Sequence, residues 1–368
     1  MPRKYSIVAL PGDGVGPELM KEVVKVLEAV QEVTTGLNLE LTEVDAGATL
    51  YKKTGSAFPP GFYETCEKAD AIFKGPMGLP GVRHPDGSEI GQDVLLGLRF
   101  KFDLYVNLRP AKLYPGVSCP IVGKKAGDID FVIVRENTEG LYASHGAGII
   151  LRDEVATDTL IITRKGTERI VRFAFEYARK RNGAPLDGKR RLTCIDKSNV
   201  LRSYAFFRRV YDDVAKSYPD VGRDYAYVDA MTQWMVRKPE WYDVVVAENI
   251  FGDILSDLAA VIVGGMGLCP SMNAGDKHAM FEPIHGSAPE HTGKNDVNPI
   301  ASILSGKMML EWLADKYGDK AAKAAAESIE KAVTSTLAEK KVRTYDLGGS
   351  SKTSEMGGAI AKKVRQPK

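Results

Sequence analysis

The chain has 368 residues, of which 44% are hydrophobic and 27% charged, and a net charge of +2. The length exceeds one compact core of ordinary size and implies two domains, and the composition is that of a globular protein. So small a charge creates no field to gather nucleic acid or an anionic membrane, so affinity for anions must come from local arginines.

Apolar runs alternate with amphipathic helical patterns, which predicts an α/β protein with a mainly parallel sheet. The start leads into a strand at residues 6–10 with no signal-like apolar region or cleavage site, as for a cytoplasmic protein. A glycine-rich turn follows, Pro11-Gly12-Asp13-Gly14-Val15-Gly16-Pro17, then a helix over 18–33 with apolar residues at Leu19, Val23, Val26, Leu27 and Val30. The turn resembles a dinucleotide fingerprint, but Pro17 replaces its last glycine and no ribose-binding acid ends a second strand, so it reads as a tight turn lining a cleft and the fold is not Rossmann. Further strands are expected at 39–45, 71–74, 104–108, 131–135, 160–163, 192–196, 224–229 and 244–248, and long helices at 164–182, 200–218, 298–317 and 321–337. The uncharged run 258–275 carries four glycines and Pro270 and reads as a buried helix ending in a glycine-rich turn, not a membrane span. Residues 361–368 read as a frayed tail. The four cysteines lie far apart in no metal-binding spacing and read as small buried hydrophobes of a reducing compartment.

Chemistry concentrates in three places. In Glu248-Asn249-Ile250-Phe251-Gly252-Asp253-Ile254-Leu255-Ser256-Asp257, two carboxylates stand four apart in an apolar segment. On a helix they share a face, and two hard oxygen donors there suit Mg²⁺ or Mn²⁺. The preceding run Val244-Val245-Val246-Ala247 reads as a buried strand that delivers them. Arg99 and Arg109 bracket one segment, and Arg135 ends a strand ahead of Glu136-Asn137-Thr138-Glu139-Gly140-Leu141-Tyr142. Three arginines near a carboxylate-bound cation would clamp a substrate carboxylate.

Leu98-Arg99, Asn107-Leu108-Arg109-Pro110, Val134 to Tyr142, Asp196-Lys197-Ser198-Asn199-Val200, Phe251 to Asp257 and Glu282-Pro283-Ile284-His285-Gly286-Ser287-Ala288-Pro289-Glu290 occur in this order along nearly the whole chain. Together they resemble the β-decarboxylating dehydrogenases, the family of isocitrate, homoisocitrate, 3-isopropylmalate and tartrate/D-malate dehydrogenases. The resemblance implies two domains sharing a central mixed sheet. One would be the cofactor-binding domain, residues 1–104 with 265–368; the other, inserted at 105–264, would carry metal ligands and the dimer interface. It implies a homodimer, or a tetramer, with shared active sites. The cation would be held by Asp253 and Asp257 of one subunit and Asp229 of the other. Lys197, reaching across the same interface, would be the general base directly or through Asp229, and Tyr142 the acid. Arg99, Arg109 and Arg135 would bind substrate together with Leu95, Leu96, Asn199 and Val200. Glu282, His285, Gly286, Ser287, Ala288, Glu290 and Asn298 would bind the cofactor.

Members using NADP place a lysine and a tyrosine where Glu290 and His291 stand here. Glu290 would repel a 2′-phosphate and accept from a free ribose diol, which implies NAD. The serine and asparagine that isocitrate enzymes tend to present before Arg99 are absent. Leu95, Leu96 and Val200 suit an isopropyl group, so the substrate expected first is 3-isopropylmalate. Gln92 stands where isopropylmalate enzymes usually carry an acid, and the leucine pair also occurs in tartrate/D-malate enzymes, the alternative reading. Isocitrate or homoisocitrate follows. A non-catalytic regulatory subunit would have lost metal or base residues, all of which are present.

Overall fold

A computed structural model describes residues 3–366, which divide into two compact units. The first comprises the chain up to Asp103, Tyr114–Ser118 and the chain from Gly264 onward; the second comprises Leu104–Leu113 and Cys119–Val263.

The first unit opens with β1 (Lys4–Leu10), α1 (Gly16–Val33), β2 (Asn38–Glu43), α2 (Ala48–Thr54), α3 (Phe62–Lys68), β3 (Ala71–Lys74) and α4 (Ile90–Lys101). β1 is parallel to both β2 and β3. The apolar positions read in the sequence, Leu19, Val23, Val26, Leu27 and Val30, are all buried along α1, as a helical period requires.

The second unit holds β4 (Val106–Lys112), β5 (Asp130–Glu136), the hairpin β6 (Ile149–Leu151) and β7 (Val155–Thr157), α5 (Arg164–Lys180), β8 (Arg191–Asp196), α6 (Arg202–Ala215), β9 (Gly222–Tyr227), α7 (Val228–Arg237), β10 (Val244–Ala247) and α8 (Asn249–Ile262). Its strands run in the order β4-β5-β10-β8-β9. β4 is antiparallel to β5 and the other pairs are parallel. All four residues of β10 are buried, the continuous apolar run of a strand covered on both faces.

The chain returns to the first unit with β11 (Pro270–Ala274), β12 (Ala279–Pro283), α9 (Ile300–Tyr317), α10 (Lys320–Glu339) and α11 (Thr353–Arg365). β12 lies parallel to β3 and antiparallel to β11, so the sheet is mixed.

Four expectations are corrected. Residues 160–163 make one isolated bridge, Gly140 with Ile161, and no strand. β9 ends at Tyr227, so Asp229 stands in the first turn of α7. The uncharged run 258–275 is the end of α8, a turn through Gly264 and Gly265 at φ of 108° and 120°, and then β11. Only glycine adopts these φ values without strain, so the helix stops there. Residues 361–365 belong to α11, where Ile360, Ala361 and Val364 are buried; Pro367 and Lys368 lie outside the described residues. Cys66, Cys194 and Cys269 are buried, Cys119 partly so, and all four are free. Among the described residues no helix is long and apolar enough to cross a membrane.

Candidate active site

In the second unit the site begins at Glu248, where β10 hands over to α8. Its side chain caps the helix, accepting from the Ile250 amide at 3.2 Å and from the Tyr204 hydroxyl at 2.8 Å. Glu248 is buried, and burial holds its carboxyl above the usual range. Tyr204→Phe leaves this carboxylate short of a donor and should cost about 1–3 kcal/mol of stability, read as a lowered urea midpoint. An unchanged midpoint would show that water replaces the hydroxyl.

α8 approaches β5 closely. A Cβ on Gly252 would sit 2.7 Å from the Arg135 Cβ, which is why glycine precedes Asp253. Arg135, 2% exposed, donates through Nε and Nη2 to Asn249 Oδ1, at 2.9 and 2.7 Å, and through Nη1 to Asp253. Arg109 donates from Nε to Asn107 Oδ1 at 2.6 Å and from Nη1 to Asp253 Oδ1 at 3.0 Å and Ser256 Oγ at 2.5 Å. The Tyr142 hydroxyl donates to Asp253 Oδ2 at 2.8 Å, with the Arg135 guanidinium 5.3 Å from its ring centre. Two of the three sequence-identified arginines and the tyrosine thus meet on one expected cation ligand.

Asp257 stands one turn further along α8 and is exposed. Partial burial and the Asp253 charge raise its pKa, opposed by Arg109 and Arg135. Asp253 and Asp257 place two hard oxygen donors one turn apart on one face of α8, a pair that fits a divalent cation. The pair supplies too few donors for a full shell, and among the described residues no group of three His, Cys, Asp or Glu side chains is placed to hold a metal ion. Asp229 therefore does not join Asp253 and Asp257 within one chain.

Asp229 instead accepts from Lys197 Nζ at 2.5 Å. That bond, together with backbone amides at the start of α7, lowers the Asp229 pKa. Lys197 follows β8 in a turn set by the buried Asp196, which accepts from the Ser198 amide at 2.8 Å and from Arg208 Nε at 2.5 Å. Asn199 and Val200, next in this turn, are exposed, Val200 at 67%.

In the first unit, Arg99 near the end of α4 is buried and donates from Nε to Asn273 Oδ1 at 3.1 Å. Asn273 donates to Glu282 Oε1 at 2.8 Å, and Glu282 pairs with Lys74 at 2.8 Å. Burial alone would raise the Glu282 pKa; Lys74 and Arg99 overcome it and keep the carboxyl well below its ordinary range. Glu282, expected at the cofactor, thus also anchors a buried network that orients Arg99. On α4, Leu95 is half-buried and Leu96 has 5% of its surface exposed.

The expected cofactor loop is braced by the glycine-rich turn. The Val15 amide donates to the Ser287 carbonyl at 2.9 Å, and a Cβ on Gly14 would lie 2.1 Å from that oxygen, so the contact requires glycine. Ser287 Oγ donates to the Gly78 carbonyl at 2.5 Å. Asp13, buried, accepts from the amides of Ala48, Thr49 and Gly78. Glu18 accepts from the amides of Gly293 and Asn295. Ala288 at φ 39° opens a 3₁₀ turn over Pro289–His291, in which Glu290 is exposed. His285 is half-buried and Gly286 exposed. Asn298 accepts from the Ile300 amide and donates to Asp346 Oδ2, both at 3.0 Å. The His291 ring stacks on Tyr345 with centres 5.1 Å apart, and the Tyr345 pKa is raised by burial and then by the charges of Asp346, Asp296 and Glu290.

Residue type and spacing alone do not mark Asn107, Asn249 and Ser256, which hold the arginines, or Lys74 and Asn273 behind Arg99. A lysine ending an otherwise apolar strand is the signal for Lys74; Asn107, Asn249 and Ser256 lie in the same short runs as Arg109 and Asp253.

The family model for isocitrate/isopropylmalate dehydrogenase matches residues 6–360. The chain is 43% identical over 364 residues to the 3-isopropylmalate/3-methylmalate dehydrogenase of Methanocaldococcus jannaschii, covering 98% of this chain and 99% of that protein. It is 43% identical over 373 residues to the 3-isopropylmalate dehydrogenase of Thermobifida fusca, covering 99% of each. The crystal structure of isocitrate dehydrogenase from Methylococcus capsulatus superposes with a TM-score of 0.86 at 36% identity, over 98% of this chain and all of that one. The protein is thus a decarboxylating dehydrogenase and belongs to the isocitrate/isopropylmalate dehydrogenase family.

Proposed function

We propose that the chain catalyses the NAD- and divalent-metal-dependent oxidative decarboxylation of a (2R)-malate with an apolar C3 substituent, 3-isopropylmalate first. The observation that carries this reading is the convergence of Arg109, Arg135 and Tyr142 on Asp253, one turn from Asp257. When bound, Mg²⁺ or Mn²⁺ supplies Lewis-acid polarisation of the C2 hydroxyl and NAD supplies the hydride acceptor. Asp253 and Asp257 hold the cation with Asp229 of a second copy. Lys197 takes the hydroxyl proton, directly or through Asp229. Arg99, Arg109 and Arg135 bind the substrate carboxylates, and Tyr142 returns a proton to C3 after carbon dioxide leaves. The names of the aligned relatives and the apolar Leu95 and Val200 support the isopropyl substituent. Gln92, where an acid is usual in isopropylmalate enzymes, favours D-malate or tartrate as the second reading. Initial rates with NAD and Mn²⁺ across 3-isopropylmalate, D-malate, tartrate and isocitrate test the order, and a kcat/KM greater for D-malate than for 3-isopropylmalate would reverse it.

The cofactor preference rests on Glu290, Asp296 and Asp346, whose charges gather around Tyr345 beside His291. A 2′-phosphate brought to that acidic cluster would be repelled. NAD should exceed NADP in kcat/KM by at least ~100-fold, about 2.7 kcal/mol. Comparable efficiencies would refute the assignment.

The second copy is supported by the surface of α8. Ile254 and Val261, seven residues apart, are 57% and 55% exposed and flank Asp257 on one stripe. Ile149, Ile150, Leu151 and Val155 of the β6–β7 hairpin are likewise exposed. Exposed apolar surface on α8 beside a half-built cation site, together with that of the hairpin, fits burial in a homodimer.

A further inference from the structure

β9, α7 and the turn before β10 line an open pocket of about 550 Å³, within the usual size of small-molecule pockets. Its walls include the rings of Tyr225, Tyr227, Trp234 and Trp241 and the cations Arg208 and Lys238. Asp224 also reaches it, but its Oδ2 is committed to Thr193 Oγ1 at 2.9 Å and Trp241 Nε1 at 3.0 Å, and so fixes the indole. Among the described residues Lys238 has no carboxylate partner; its Nζ lies 5.7 Å from the Trp234 ring centre. The Arg208 guanidinium lies 5.1 and 5.3 Å from the ring centres of Tyr225 and Tyr227, and its ion pair is with Asp196. A pocket of π-faces with two cations against one carboxylate fits a flat ring bearing an anionic group.

Arg208 couples this pocket to the proposed base. Asp196, which it holds, sets the turn that presents Lys197 to Asp229. An anion drawn to Arg208 competes with Asp196 for the guanidinium and loosens that turn. The α7 face that lines the pocket differs from the face that carries Asp229. Ala230 and Trp234 lie roughly 100–140° around α7 from Asp229, whose own face is continued by Gln233 and the exposed Val236.

We propose that this cavity is an effector site for a planar aromatic anion, acting on Lys197 through Arg208 and Asp196. The catalytic meaning of that action rests on the function proposed above, but its test needs no turnover. Calorimetric titration of the wild-type protein with 1-naphthyl phosphate should show saturable binding with a Kd below about 1 mM. Lys238→Ala and Trp234→Ala, neither in the proposed catalytic machinery, should each weaken it by about tenfold. The rate at which acetic anhydride labels Lys197, followed by mass spectrometry, should change at least about threefold on saturation, as a loosened turn alters the amine's pairing. Absence of saturable binding, binding unaltered in both variants, or saturation without change in Lys197 labelling would each overturn the proposal.

Discussion

Lys197→Met should lower kcat by about 10²–10⁴-fold, the usual contribution of a general base and about 2.7–5.5 kcal/mol of barrier. The geometry makes this a clean test. Lys197 touches Asp229 at 2.5 Å, and the two side chains are 27% and 66% exposed, so their pairing adds little to folding and the variant should fold. Asp229 loses the partner that lowers its pKa but remains a carboxylate at neutral pH. Cation affinity, measured calorimetrically with Mn²⁺, should therefore change by less than about threefold, while oxidation of the hydroxy acid collapses. A variant retaining more than about a tenth of the wild-type kcat would remove Lys197 from the role of base.

How much of this site could be read from the sequence depended on distance along the chain. The Asp253–Asp257 spacing, the buried β10 run and the start of α8 are local features, and a period of 3.6 against a continuous apolar run distinguishes them. The run 258–275 defeats that logic, because helix end, glycine turn and strand share one apolar composition; only the φ values of Gly264 and Gly265 separate them. Asp229 reads as strand for a similar reason: the polar-apolar alternation of β9 runs into α7 without a breaker. The meeting of Arg109 and Arg135 with Asp253 spans 144 and 118 residues, and nothing in those residue types specifies it apart from family likeness. The Arg99–Asn273–Glu282–Lys74 network was hidden because Asn273 lies on β11, a strand the sequence did not reveal.

Mixing two inactive variants, Lys197→Met and Tyr142→Phe, should restore activity. Tyr142 is bonded to Asp253, and Lys197 to Asp229, yet no three-carboxylate group forms among the described residues. If a working site takes Tyr142, Asp253 and Asp257 from one subunit and Lys197 and Asp229 from the other, a heterodimer collects both defects in one site and none in its second. Random reassortment of equal amounts makes about half the dimers mixed, so about a quarter of all sites are intact and activity should approach about a quarter of the wild-type value. The two variants are to be unfolded and refolded together, with each refolded alone as the control, and heterodimers verified by native mass spectrometry. Mixed dimers that form without any gain in rate would place the whole catalytic set within one subunit. The cation would then need a third ligand that neither Asp229 nor a second copy provides.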